Sequence, residues 1–398
     1  MTMTSQHPPE IASSSSSPSS PSPSFRIDPP LLNSSNPWAT TESDLLALYN
    51  CPYTGAVTTR TSLWGSGFKQ HASTHQYTFF SSALGHATAE VNVVDHPEGR
   101  GGVVEGETTS LNTLGYSPIA FQLYVHTIIR MSRSGLLDLP HNRKHKRKPF
   151  IVSVTGTATE IAQCATHLLT VLNDPESIYP YPSAPSSTPD AKASVSDVPK
   201  PLEHLELMME INLSCPNIPD KPPPAYSLAA LAEYIAAISV AKGSMPREYE
   251  RPLHVGIKTP PYTYAGQFQT LIDALESSAS LEGGCPISFV TATNTLGSCL
   301  VVDRRNEAAL GSVGGTGIGG MAGDALHPLA LGNVRTIRSM LDASPHFDVR
   351  AISIIGIGGV RDAAGFARMR SVGAAAVGVG TALGREGISI FEKITTSE

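Results

Sequence analysis

Short β-rich runs that alternate with helical stretches predict a parallel α/β chain, and eight such runs point to a (β/α)8 barrel with inserted loops. Two further observations support the closed form. Glycine clusters end the seventh and eighth runs, and polar residues stand at the carboxyl ends of most of the others, where a barrel of this kind carries its chemistry. The runs cover residues 56–59, 109–111, 150–154, 207–213, 253–257, 288–292, 351–355 and 374–379. Helical patterns fill 159–172, 227–242, 265–275, 325–341, 362–372 and 387–395. A doubly wound open sheet is the competing architecture, because strand order cannot be read from one sequence.

Composition sets the remaining frame. A chain of 398 residues with 40% hydrophobic content can bury a sizeable core. Residues 1–24 are mostly Ser and Pro, which bury too little apolar surface to offset the entropy of ordering, so they read as a disordered tail. The folded domain is then 25–398, and the Pro/Ser-rich stretch 174–201 reads as a surface insertion within it. A net charge of −6 offers no electrostatic footprint for nucleic acid, and the basic cluster 141–148 reads as a solvated loop. Five widely spaced cysteines, with no Cys-x-x-Cys pair, give no zinc or iron–sulfur ligand set and suit a reducing compartment. No apolar run reaches the ~20 residues that span a bilayer. The expectation is a cytoplasmic protein with no metal, no nucleic-acid partner and no membrane partner.

The strand at 207–213 ends in Asn212-Leu213-Ser214-Cys215-Pro216-Asn217. A thiol at that point faces the mouth of a site and can act as a proton-abstracting base if its pKa is lowered. The asparagine amides supply the donor and acceptor edges that fix an amide-like substrate. The bland alternative is a small buried cysteine, against which the polar neighbours argue. Thr59-Arg60-Thr61, Asn112, Asn212, Lys258 and Thr293-Asn294-Thr295 add to the same rim. Lys258 would bring an ammonium to electron-rich positions of a cofactor ring, or else simply snorkel from its strand end. Gly356-Ile357-Gly358-Gly359 and Gly378-Val379-Gly380-Thr381 would form a backbone cradle for the phosphate of a cofactor. Gly315 to Gly320 matches G-x-G-x-x-G but follows no convincing strand, so a dinucleotide reading carries little weight.

Asn212 to Asn217, Val255 to Tyr262, Ala292 to Gly297 and the two glycine clusters together resemble the dihydroorotate dehydrogenase family, from about Phe25 to the carboxyl end. Order and spacing are similar to the soluble class 1 branch, in particular the fumarate-using class 1A homodimers. Dihydropyrimidine dehydrogenase shares a near-identical strand end but needs iron–sulfur cysteines that this chain lacks. The resemblance implies bound FMN, with Cys215 taking the C5 proton of dihydroorotate while the C6 hydride passes to the flavin. It implies that Arg60, Asn112, Asn212, Asn217, Asn294 and Thr295 hold the substrate, with Leu114, Gly115 and Tyr116 closing over it. Ser35, Arg60, Thr61, Asn212, Lys258, Thr293, Gly320, Gly323, Gly358, Gly359, Gly380 and Thr381 would hold the flavin.

The sequence departs from that pattern in places. Arg60 stands where the family has lysine, Asn36 where it has glycine, and His327-Pro328 where it has Lys-Pro. The loop 319–323 is closer to other branches of the family. Two other readings therefore stand beside dihydroorotate oxidation: a flavin enzyme of the same fold acting on another pyrimidine-like substrate, and a catalytically weak flavin-binding protein.

Overall fold

The computed structural model describes residues 25–87, 92–93, 104–138, 148–180, 202–214 and 223–396. Strands β1 (Leu31–Asn33), β2 (Val57–Thr58) and β3 (Ser62–Leu63) are followed by β4 (Gln76–Phe80), β5 (Asn92–Val93) and β6 (Thr109–Asn112). Then come β7 (Phe150–Thr155), β8 (Leu207–Asn212), β9 (His254–Lys258), β10 (Phe289–Ala292), β11 (Leu296–Cys299), β12 (Gly319–Gly323), β13 (Ser353–Ile357) and β14 (Ala376–Val379).

The parallel sheet runs β1-β14-β13-β10-β9-β8-β7-β2, with β3 also paired to β7. A parallel bridge between Leu32 and Ala56 joins its two ends into a ring. At that seam β2 is short, and Asn33 replaces ladder bonds with its side chain. The amide nitrogen donates to the Thr58 carbonyl at 2.6 Å, and the amide oxygen accepts from the Thr58 N–H at 2.9 Å. The fold is thus a (β/α)8 barrel, as the alternating pattern predicts, and the open sheet is set aside.

One expected stave is in the wrong place. Residues 109–111 do form a strand, but it pairs antiparallel with β4 and β12 in a separate five-stranded sheet ordered β11-β12-β6-β4-β5. The stave that completes the barrel is β1, whose three residues are all buried. The five-stranded sheet grows from two connections, the one after β3 and the one after β10, and forms a cap. Its own small core holds Phe80, Leu111, Val301 and Leu310.

Two cores hold the barrel. Inside the ring lie Leu32, Ala56, Ile151, Met208, Phe289, Ile355 and Ala376, with Phe25 packed against them. Gly256 makes room there, since a Cβ on it would sit 2.2 Å from the Phe289 ring. Between ring and helices runs the larger core, fed by buried stripes such as Phe121, Tyr124, Val125, Ile128 and Ile129 on helix Phe121–Arg133. Capping boxes start helices Glu42–Asn50 and Ala158–Asn173, where Thr41 pairs with Asp44 and Thr157 with Glu160. The expected helix 387–395 is present as Ser389–Thr396, and a separate short helix, Thr381–Glu386, precedes it, parted from it by Gly387 at a φ of 68°.

The tail 1–24 and most of the predicted insertion 174–201 lie outside the described residues. Lys148, the last residue of the basic cluster, is a correction: it is buried, not solvated. Its ammonium donates to the carbonyls of Tyr49 and Cys51 and to the Thr54 hydroxyl, and desolvation lowers its pKa to about 8. Among the described residues no helix is long and apolar enough to cross a membrane.

Candidate active site

A cleft opens at the carboxyl ends of the staves, roofed by the cap. Its empty space is about 1040 Å³ including the open mouth, enough for a ligand of cofactor size. Ser35, Arg60, Thr61, Asn112, Leu114, Gly115, Tyr116, Asn212, Lys258, Thr293, Asn294, Thr295, Gly323, Gly358, Gly359, Gly380 and Thr381 all line it. Gly320 does not line it; its carbonyl accepts from the Asn112 amide at 3.1 Å, and a Cβ there would meet the Thr295 hydroxyl at 2.3 Å. Cys215 and Asn217 lie outside the described residues.

One end of the cleft is backbone. Gly358 and Gly359 follow β13 with φ of 141° and 69°, a region that side-chain-bearing residues rarely adopt. A Cβ on Gly359 would come within 2.6 Å of the His327 Cβ and 2.7 Å of the Gly323 carbonyl oxygen. His327 pins this turn from behind. Arg368 Nε donates to His327 Nε2 at 3.2 Å, and arginine has no acceptor, so the ring hydrogen sits on Nδ1 and is donated to the Gly358 carbonyl at 2.6 Å. In the trans peptide the Gly359 N–H then points away from His327. Across the turn, Ser110 and Thr381 share a hydroxyl contact of 2.9 Å.

The other end is built of side chains. Asn294 Nδ2 donates to the Ser214 hydroxyl at 2.8 Å and to Asn212 Oδ1 at 3.3 Å, while its own oxygen accepts from the Thr295 N–H at 2.8 Å. Asn212 Nδ2 donates to the Thr61 hydroxyl at 3.0 Å. Arg60 is buried and donates to the Gly115 carbonyl at 3.0 Å. With its amide oxygen turned inward, Gln70 accepts from both terminal nitrogens of Arg60, at 3.1 and 2.5 Å. The guanidinium therefore ties together two cap loops, a task that suits a planar fork better than an ammonium.

Between the two ends stands Lys258, only 3% exposed, with no hydrogen bond or ion pair among the described residues. A buried ammonium in a cleft wall without an acceptor calls for an anionic or electron-rich ligand. The Thr293 hydroxyl is also buried and without a partner among the described residues. Asn36 fits without glycine's freedom, because its φ of −157° is extended backbone, and its side chain caps the turn Pro37–Ala39 by accepting from the Trp38 N–H at 2.9 Å.

Some lining residues carry no signal in the sequence pattern. Trp38 and Tyr77 meet edge to face with ring centroids 5.5 Å apart and give the cleft an aromatic wall. Tyr77 belongs to the cap, so only knowledge of the cap could place it. The run 33–36 is the one local hint of Trp38.

The fold and its rim cleft define an α/β barrel of the kind that seats a ligand among the loops after its strands. The chain belongs to the dihydroorotate dehydrogenase family: the model of that family, described as Dihydroorotate dehydrogenase, matches residues 183–397. A dihydroorotate dehydrogenase A (fumarate) of Streptococcus equi subsp. equi is 35% identical over 188 residues, which are 47% of this chain and 52% of the relative. Its counterpart in Streptococcus pyogenes serotype M3 is 35% identical over 190 residues, 48% of this chain and 53% of the relative. The chain thus spans about half the length of the curated relatives it matches. The crystal structure of a ligand-free dihydroorotate dehydrogenase from Eimeria tenella shares the fold, with a TM-score of 0.58, 13% identity, and coverage of 92% of this chain and 82% of that one.

Proposed function

We propose that the protein is an FMN-dependent dihydroorotate dehydrogenase that oxidises (S)-dihydroorotate to orotate in pyrimidine biosynthesis, with fumarate as the electron acceptor. The observation that carries this reading is the cleft itself, which joins a glycine turn, a buried lysine with no partner among the described residues and a cluster of asparagine amides. The residues present fit FMN. Gly358, Gly359 and Gly380 line the cleft in a turn too tight for a Cβ, Thr381 adds a hydroxyl beside it, and Lys258 and the Thr293 hydroxyl supply donors that have no partner among the described residues, a set that suits a phosphorylated ring.

When bound, FMN would supply the acceptor for the C6 hydride of dihydroorotate and, once reduced, the electrons that fumarate takes up. The chain's own residues do the rest. Lys258 offsets negative charge on the cofactor ring. Asn112, Asn212, Asn217 and Asn294 hold the pyrimidine and its carboxylate, with Thr295 at the far edge and Leu114, Gly115 and Tyr116 closing above. Arg60 holds that closing loop and supplies positive charge on the substrate side. Ser35, Thr61 and Gly323 shape the cofactor side, and Gly320 supports Asn112 through its carbonyl. Cys215, the residue after Ser214, takes the C5 proton, which requires a thiolate within reach of that carbon. With this activity goes the cytosolic homodimer implied by the sequence resemblance.

The purified protein tests this directly. It should be yellow with one FMN per chain, its 450 nm region should bleach with anaerobic dihydroorotate, and colour should return with fumarate. Colourless protein removes the cofactor. Yellow protein that dihydroorotate does not bleach leaves the reading in which Arg60 adapts the site to another pyrimidine-like compound.

A further inference from the structure

The cleft has two chemically unlike flanks. Staves β10, β9 and β8 are neighbours in the ring, and polar Thr293, Asn294, Lys258 and Asn212 stand at their ends. In the closed ring β1 lies four staves from β9 in either direction, so the turn after β1 faces Lys258 across the mouth. That turn, Pro37–Ala39, brings Trp38 to the cleft, and cap strand β4 sets Tyr77 beside it.

The aromatic flank is packed from three directions. Trp38 and Tyr77 meet at 89°, and Phe79 stacks on Trp38 at 18° with ring centroids 6.2 Å apart. On its other side the indole lies on Gly384 of helix Thr381–Glu386, where a Cβ would come within 2.1 Å of it. Any side chain at 384 would push the indole aside. The turn after β1, the helix that starts at Thr381 and the cap strand thus converge on one ring, and Tyr77 is only 6% exposed.

A flavin ring is divided in the same way. One edge carries a ring N–H and two carbonyl oxygens, and the opposite edge is a benzene ring with two methyl groups. Turned one way, the carbonyls meet the Lys258 flank and the methyl groups meet the aromatic flank. Turned the other way, the methyl groups would face a buried ammonium and the carbonyls would be desolvated against aromatic rings, which costs free energy at both edges.

We infer that Trp38 and Tyr77 seat the dimethylbenzene edge of the cofactor ring, and that Trp38 closes this edge off from solvent. The pair selects the cofactor by its methyl groups, as Lys258 selects it by charge. The inference deepens the FMN reading and rests on it.

The test uses the full chain, stripped of flavin and reloaded. FMN and 7,8-didemethyl-FMN are titrated into wild type, Trp38→Ala and Trp38→Phe, with flavin fluorescence as the readout. Wild type should prefer FMN by about tenfold, the scale of burying two methyl groups. Trp38→Ala should cut that preference to about threefold or less, mainly by weakening FMN, and Trp38→Phe should restore most of it. No preference in wild type, or an alanine variant that weakens both flavins alike, would overturn the inference while the FMN reading stands. A second measurement loads 8-chloro-FMN and adds thiophenolate, which displaces chloride from C8 wherever it can reach that carbon and shifts the absorption band to the red. Wild type should react far more slowly than free 8-chloro-FMN, and Trp38→Ala faster than wild type. Reaction of wild type at the rate of the free flavin, or equal rates in the two proteins, would overturn the closure. If Trp38→Ala does not accumulate as soluble protein, the wild-type measurements decide alone, on the methyl preference and on the protection of C8. If wild type binds neither flavin, the FMN reading fails instead.

Discussion

The two ends of the cleft solve the problem of holding a ligand by different means. At the β13 and β14 end the contacts are backbone, set by Gly358 and Gly359 in conformations other residues rarely adopt and pinned by His327. At the β8 and cap end they are side chains, Asn212, Asn294 and Arg60, each held by other side chains or loop carbonyls. A backbone site tolerates no added atom, whereas a side-chain site can be retuned one residue at a time. The departures from the family follow that division unevenly. Arg60 lies at the adaptable end, while His327 supports the rigid end from behind without entering the glycine turn itself.

The contrast is sharpest at Gly359. Gly359→Val places a β-branched side chain at a φ of 69° and within 2.6 Å of the His327 Cβ, so the variant should purify without FMN. Stoichiometric flavin in that protein would break the backbone half of the comparison. Cys215→Ala tests the proposed base: FMN content should stay unchanged while reduction by dihydroorotate slows about 10²–10⁴-fold, the usual scale for a lost general base. Stopped-flow reduction at neutral pH measures it, and near-normal rates would take Cys215 out of the chemistry.

Smaller effects separate support from contact. Arg60→Ala removes charge-assisted bonds to Gly115 and Gln70 worth roughly 1.5–3 kcal/mol, which should appear as weaker dihydroorotate binding with flavin retained. Arg60→Lys keeps the charge but reaches only one of the two loops, so it should fall between wild type and Arg60→Ala in the same titration. His327→Ala frees the Gly358 carbonyl and should raise the FMN dissociation constant by about 2- to 10-fold, as expected for one hydrogen bond. Equal FMN affinity would show that the turn holds itself. Deleting residues 1–24, which are mostly Ser and Pro, should change neither flavin content nor turnover.

What could be read from the chain depends on whether the informative partner is local. Helices such as Ala158–Asn173 announce themselves by a buried stripe and a capping box within one segment. Strand β1 does not, because three residues after Pro29-Pro30 are too few to show a period, and what makes them a stave is pairing with β14 far along the chain. Strand β6 looks like a stave for the same reason in reverse, since its true partners β4 and β12 are antiparallel and sit in other loops. The count of eight survived because one false stave replaced one missed one. That is also why the glycine clusters fell at the seventh and eighth positions. Most rim residues were legible because each ends or directly follows a stave, as Lys258 ends β9, whereas Asn112 ends β6 of the cap. Trp38 and Tyr77 were not, because they reach the cleft through a short turn or the cap, and neither was Gln70, which touches Arg60 from a loop. The direction of the Asn212 amide was beyond sequence, since Thr61 and Asn294, which help to set it, come from two distant segments.

The cap also bears on the order in which the molecule assembles. Its central pairing joins β6 to β12, and the bond from Asn112 to Gly320 spans 208 residues of chain. Such a contact is stabilising only after its long loop has been closed, and here the closing is done by the staves between them. The barrel should therefore form first and the cap last, so that the ligand site is completed in the final step of folding. In native-state hydrogen exchange, the amides of Thr109–Asn112 and Gly319–Gly323 should open at lower free energy than those of Phe150–Thr155 and Leu207–Asn212. A bound ligand that touches both ends of the cleft would then protect the cap most, because it bridges the parts that come together latest.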